Sequence, residues 1–283
     1  MTASQLDVGA ARPVTVAAGD RPLAALQAGA PDAPPVLMVP GYTGSKEDFG
    51  PVLAPIAAAG YLVTAIDLPG QFESPGSSTP SDYTPDRLGA VVVALARGLG
   101  RPVRLLGHSF GGLVARAAAI ARPDVFTSLV LLSSGPSEIG GMRRQTMEAL
   151  EPVLAEHGLP GVYAALQSAA LADPDYVAPP PELADFLERR FLAGAPAMLQ
   201  GMSDALRREP DRVAELAATG LRTLVLHGAD DDAWPPAVQR EMAGRLSAEY
   251  AVIAAAAHSA AVENPSGLVE ALLTFWGQPD ATD

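Results

Sequence analysis

The sequence predicts an α/β fold, a mostly parallel β-sheet with helices on both faces. Three observations carry that prediction. Short aliphatic runs recur along the chain and alternate with helix-length segments. Most of the runs close on glycine, proline or a small polar residue. The runs are apolar throughout rather than every second residue, which is the pattern of strands buried on both faces.

Taken in order, residues 13–18 and 23–28 read as an antiparallel hairpin at the sheet edge. Strand-like runs follow at 36–39, 62–66, 103–106, 129–132, 224–226 and 250–253. Helix-length segments fall at 48–59, 84–99, 110–121, 236–246 and 265–276. The second of these carries Leu88, Val91, Val92 and Leu95 at helical spacing. Strand–helix–strand alternation implies right-handed crossovers and a sheet covered on both sides. Residues 139–218 break the alternation. They hold no strand pattern and read as four or five short helices separated by Gly158-Leu159-Pro160, Asp173-Pro174, Pro179-Pro180-Pro181, Gly194-Ala195-Pro196 and Glu209-Pro210. About eighty structureless residues inside a compact unit would be unusual. The expected organisation is therefore a core of residues 1–136 and 219–283, with 137–218 inserted as a helical cap.

Composition narrows the classes. Hydrophobic residues are 48% of the 283, enough for a large core, and charged residues only 18%. Net charge is −13, and basic residues cluster no further than the pairs Arg143-Arg144, Arg189-Arg190 and Arg207-Arg208. A phosphate-backbone binder needs a basic face, so no nucleic-acid partner is expected. With no cysteine there is no disulfide framework, thiolate metal site or cysteine nucleophile. No basic-then-apolar leader opens the sequence, and no apolar run nears the ~20 residues of a membrane span. A cytoplasmic protein without a membrane span is expected.

The chemistry-bearing signal is Gly107-His108-Ser109-Phe110-Gly111, between a strand-like and a helix-like run. In that context G-x-S-x-G makes a nucleophile elbow. A sharp strand-to-helix turn lifts the serine off the sheet, and its neighbours two places away must lack side chains because strand and helix approach closely. The alternative is a plain Gly-rich turn with an N-capping serine.

A serine hydroxyl needs a base. Of the four histidines, His108 adjoins the serine and faces elsewhere, His157 lies in the inserted segment, and His227 ends a buried strand. His258 follows the last strand, where strand ends converge on the ligand crevice. It is the candidate base. The base needs an acid on its other nitrogen. The loop after the preceding strand offers Asp230, Asp231 and Asp232, and three adjacent buried carboxylates would repel, so most of them serve the turn.

The chain resembles the α/β-hydrolase fold superfamily, specifically capped serine hydrolases of the lysophospholipase and esterase kind, over about residues 30 to 278. Its motifs are the elbow, a serine–acid–histidine chain order, Asp67-Leu68-Pro69-Gly70 after the second strand run, and His258 followed by Glu263-Asn264-Pro265. The resemblance implies an acid in a G-x-x-D-x-x-x-P pattern. Gly228, Asp231 and Pro235 fit it, which selects Asp231. It also implies an oxyanion hole with two N–H donors. One is the backbone of Phe110, next after the nucleophile. The other is the backbone of Tyr42, in Pro40-Gly41-Tyr42-Thr43-Gly44, where such families more often show His-Gly.

The resemblance implies a serine hydrolase that cleaves a carboxylic ester of a small-to-medium apolar substrate through an acyl-serine intermediate. The partner is a small acyl substrate, and neither a metal nor an organic cofactor is implied. Substrate preference is expected to come mostly from the cap, which carries Tyr163, Leu166, Leu171, Tyr176, Phe186, Phe191, Met198, Leu199 and Met202; helical spacing there more often marks core packing than pocket lining, and some apolar lining is expected. Rival readings are a thioesterase or acyltransferase using the same triad, and a non-catalytic ligand-binding protein of the same fold.

Overall fold

The computed structural model describes residues 3–277; the outermost ends of the predicted core, 1–2 and 278–283, lie outside them. β1 (Arg12–Ala18) and β2 (Arg21–Ala28) form the predicted hairpin. Then come β3 (Pro35–Val39), α1 (Gly50–Ala58), β4 (Leu62–Ile66), α2 (Pro85–Gly98), β5 (Val103–His108), α3 (Phe110–Ala121) and β6 (Phe126–Leu132). Four helices follow: α4 (Gly141–Ala172), α5 (Pro181–Leu192), α6 (Pro196–Leu206) and α7 (Val213–Ala217). The chain ends with β7 (Thr223–Gly228), α8 (Pro236–Leu246), β8 (Glu249–Ile253), α9 (Ala260–Glu263) and α10 (Pro265–Trp276).

The strands make one eight-stranded sheet in the order β1-β2-β4-β3-β5-β6-β7-β8. β2 is antiparallel to β4, and every pairing from β4 to β8 is parallel. The order reverses at β3, which lies between β4 and β5. Loops leaving the carboxyl ends of β3 and β5 therefore part in opposite directions and open a crevice there.

Alternation along the strands builds two cores. Leu37 and Val39 of β3 join the layer under α2, α3 and α8, with Leu88, Val92, Leu113 and Val114. Val36 and Met38 face the other layer, with Val52, Leu53 and Ile56 of α1 and Leu268, Leu272 and Phe275 of α10. Truncating one of these buried leucines to alanine would cost about 2–5 kcal/mol.

Two predicted boundaries shift. The segment read as a helix from residue 48 begins as a 3₁₀ turn, Lys46–Phe49, closed by a capping box between Ser45 and Asp48. The loop expected between His258 and Pro265 contains the short α9.

The segment between β6 and β7 is helical, as its composition suggested. Its first helix is broken at Gly158, whose φ of 63° and ψ of −163° are non-helical. Pro160, two residues on, has no N–H to give. Leu159, Val162 and Leu199 pack α4 against α6. The segment is clamped where it leaves and rejoins the sheet. Ile139 N–H donates to Leu206 O, and Glu138 N–H to Glu209 O, both at 2.8 Å. Beneath them Arg116 of α3 donates to Glu209 at 2.7 Å and to the carbonyls of Gly135 and Pro136. That ion pair is almost wholly buried.

Candidate active site

Ser109 stands at the turn from β5 into α3, with φ 55° and ψ −120°. A non-glycine residue held there costs about 1–3 kcal/mol and persists only where its surroundings enforce it. The enforcement is steric. A Cβ on Gly107 would lie 2.2 Å from Gly111 O, and one on Gly111 would lie 2.3 Å from Val39 O. Strand and helix thus touch backbone to backbone, and the serine is lifted to the sheet edge.

The structure brings the three predicted side chains together. The Ser109 hydroxyl lies 3.0 Å from His258 Nε2, and His258 Nδ1 lies 2.9 Å from Asp231 Oδ1. A carboxylate only accepts, so Nδ1 carries the proton and Nε2 is free to accept from the serine. Asp231 is 4% exposed. Its Oδ1 also accepts from Ala233 N–H at 3.0 Å, and its Oδ2 from the Gln239 amide at 2.9 Å. Burial pushes this carboxyl up, but His258 and the other donors outweigh it and hold it at about 2. The neighbouring carboxylates do other work. Asp230 is exposed, and Asp232 forms a two-point ion pair with Arg143 at 3.1 and 2.7 Å. Donor atoms of Asp231, Asp232 and His258 all lie within 4.8 Å of one another. Each already has a protein partner.

The Tyr42 and Phe110 N–H groups have no acceptor among the described residues. Both belong to residues on the wall of the Ser109 cavity or at the elbow. The β3 loop is held from behind by Gln71, a residue the sequence did not single out. Its buried amide donates to Gly41 O at 2.7 Å, while its Oε1 accepts from Leu68 N–H at 2.9 Å. Lys46, on the same loop, donates through its ammonium to Asp67 at 2.9 Å and Glu73 at 2.6 Å. Burial raises Asp67 to about 6, with Lys46 pulling against it. The D-x-x-G pattern ending at Gly70 is the sequence trace of this support.

His108 has a role that adjacency alone hid. Its Nε2 lies 2.8 Å from His258 O, and the two rings sit 4.9 Å apart. Burial and the nearby His258 push its imidazole down to about 4, so the ring is neutral. His227 is structural, bonded to Tyr250 OH at 2.7 Å, and His157 is exposed.

Ser109 and His258 open on a cavity of about 260 Å³. None of the nine apolar residues singled out in segment 137–218 borders it. Phe186, Met198, Leu199 and Met202 are buried in packing instead, and Leu171 is 74% exposed. The segment contributes other residues: Ile139, Arg143, Met147, Arg190 and Leu206. Helical periodicity marks the apolar face of a helix but not which part of that face meets a cavity, so these were not legible.

A doubly covered parallel sheet with serine, histidine and aspartate at its carboxyl edge is the architecture of an α/β-hydrolase enzyme. Residues 36–271 match the model of the alpha/beta hydrolase family, and the chain belongs to that family. It is 27% identical over 250 residues to the protein of Stutzerimonas stutzeri named as carbamate hydrolase RutD, covering 86% of this chain and 91% of that one. It is 32% identical over 181 residues to polyketide synthase ThaQ of Burkholderia thailandensis; that match covers 60% of this chain and only 8% of the synthase. Among solved structures, a hydrolase from Pseudomonas aeruginosa superposes with a TM-score of 0.77 at 25% identity, covering 95% of this chain and 100% of that one. No helix among the described residues is long and apolar enough to cross a membrane.

Proposed function

We propose that the protein hydrolyses a small carboxylic ester, with Ser109 as nucleophile, His258 as base and then acid, and Asp231 as the group that orients and stabilises the imidazole. The observation that carries this reading is the line of contacts from Ser109 Oγ to His258 Nε2, 3.0 Å, and from His258 Nδ1 to Asp231, 2.9 Å. Ser109 Oγ attacks the carbonyl carbon while its proton passes to Nε2. The N–H groups of Tyr42 and Phe110 receive the developing oxyanion, each donor worth about 3–4 kcal/mol. The imidazolium, stabilised by Asp231, protonates the departing alcohol. Water then gives a proton to the same nitrogen, attacks the acyl-Ser109, and frees the acid.

In this reading the helical segment 137–218 acts as a cap inserted into a core of 1–136 and 219–283. The apolar part of the substrate rests on Ile139, Met147 and Leu206, which border the cavity. Likeness to a polyketide synthase favours a second reading, hydrolysis or transfer of an acyl thioester at the same serine.

Rates on ethyl butyrate and on the N-acetylcysteamine thioester of butyrate separate the two. Oxygen-ester turnover that is abolished in Ser109→Ala supports the first reading. Turnover confined to the thioester supports the second, and turnover of either that survives in Ser109→Ala contradicts both.

A further inference from the structure

The charged groups of the Ser109 cavity have no task in that reaction. The chain carries −13 overall, yet this wall holds two guanidiniums, Arg143 and Arg190, and one carboxylate, Asp48. The two arginines differ in what they have left to offer. Arg grips a planar carboxylate side-on through two parallel N–H donors. Arg143 has filled one such edge, Nε and Nη2, with Asp232. Arg190 is held from its other end: Nη1 donates to Asp48 Oδ1 at 2.5 Å and reaches Ser45 Oγ at 3.4 Å. Its Nε is buried without a hydrogen-bond partner. Its Nη2 has no acceptor among the described residues either. The side chain is only 13% exposed.

Nε is shut off from solvent, so Nη2, with no acceptor among the described residues, is the donor left to meet an anion in the cavity. The guanidinium is also preset. Asp48 Oδ2 accepts from Ser45 N–H at 3.1 Å, which ties Arg190 to the loop bearing the Tyr42 N–H. Asp48 stands beside the guanidinium and disfavours a second negative charge, so the fitting anion is a planar monoanion rather than a phosphate dianion.

We propose that Arg190 recognises a carboxylate carried by the substrate, so that the ester cleaved at Ser109 bears a free carboxylate remote from the scissile carbonyl. The inference rests on the reading of Ser109 as nucleophile. A cavity of about 260 Å³, below the ~300–1,000 Å³ of most small-molecule sites, limits the spacer to a few carbons. The substrate class is thus a half-ester of a short dicarboxylic acid or a compound of the same length and charge.

The test compares kcat/KM for monoethyl glutarate and ethyl pentanoate, by titration of released acid, in wild type, Arg190→Gln and Arg190→Lys. Wild type is expected to prefer the carboxylated ester by about tenfold or more, Arg190→Gln to lose that preference, and Arg190→Lys to keep part of it. If Arg190 only braces the loop through Asp48, both esters slow together and the ratio stands, which overturns the proposal. Equal rates on both esters in wild type also overturn it, while leaving Ser109 as nucleophile intact. Calorimetric binding of monoethyl glutarate to Ser109→Ala, with and without Arg190→Gln, keeps the two claims apart. Binding to Ser109→Ala that depends on Arg190, where the wild type hydrolyses neither ester, sustains the recognition site and removes the esterase reading; absence of Arg190-dependent binding removes the site.

Discussion

His108 donates its Nε2–H to the backbone carbonyl of His258 at 2.8 Å, so the residue before the elbow serine holds the loop that carries the imidazole. Only a ring N–H can donate to a carbonyl, which fixes the tautomer. The contact places strand β5 and the loop after β8 in one unit, and the distance from Ser109 to His258 is set by it. Replacing His108 by alanine is expected to lower kcat about tenfold or more, because a displacement of about 1 Å in a reacting group can cost up to 100-fold. KM for a neutral ester should change much less. Steady-state kinetics on ethyl butyrate separates the two parameters.

The same histidine predicts a pH window of stability. Its imidazole is held at about 4, against about 6.5 in an unfolded chain. A base depressed in this way takes up its proton more readily when unfolded. The stability it contributes is complete above about pH 6.5 and is lost as pH falls towards 4. The loss is about 3 kcal/mol. Urea unfolding at pH 7, 6, 5 and 4.5 should show a shallower fall for His108→Gln than for wild type across that range.

Asp231 predicts a second, lower window. Its carboxyl is held at about 2, against about 3.9 unfolded, so the stability it contributes is present above pH 4 and lost as pH falls through 2. Asp231→Asn should remove that slope. In the reaction it should lower kcat by about 10⁴, since the orienting acid would be gone while the serine and the N–H donors remain. Turnover within tenfold of wild type would remove Asp231 from the mechanism.

Gln71 predicts an effect from outside the cavity's reacting groups. Its loss leaves Gly41 O and Leu68 N–H without their partner, at about 1–3 kcal/mol for each buried group. Because Gly41 precedes Tyr42, Gln71→Leu is expected to lower kcat by about 10- to 100-fold through a displaced donor. Ser109→Ala should show no further sensitivity to this change in binding a neutral ester by calorimetry.

The Arg116–Glu209 pair predicts a stability effect. Glu209→Ala would strand a guanidinium that is 1% exposed, at a cost of about 3–5 kcal/mol. Both ends of the 137–218 segment meet at this pair, so urea unfolding should show the loss, and the Arg116→Met, Glu209→Met double variant should recover much of it.

Much of this architecture is written locally in the chain. Runs buried on both faces, such as 36–39 and 129–132, identify themselves as strands of a covered sheet. Helices α3, α8 and α10 have the bounds that the sequence predicts. The elbow is legible because its geometry excludes side chains at Gly107 and Gly111, and that exclusion is a sequence pattern. The contributions of His108, Gln71, Arg116 and Arg190 were not legible. Each acts through a partner far along the chain: His258, Gly41, Glu209 and Asp48 respectively. No local spacing encodes those pairs. Which apolar residues of segment 137–218 meet the cavity was not legible for a related reason, since the apolar face of a helix does not show what it packs against until the neighbouring helix is known.

The most direct test of the account is reaction with a fluorophosphonate, followed by peptide mass spectrometry. One stoichiometric adduct is expected on the peptide holding Ser109, at a rate that drops by orders of magnitude in His258→Gln. A folded wild-type protein left unlabelled at Ser109, or labelled equally fast without the imidazole, would contradict it.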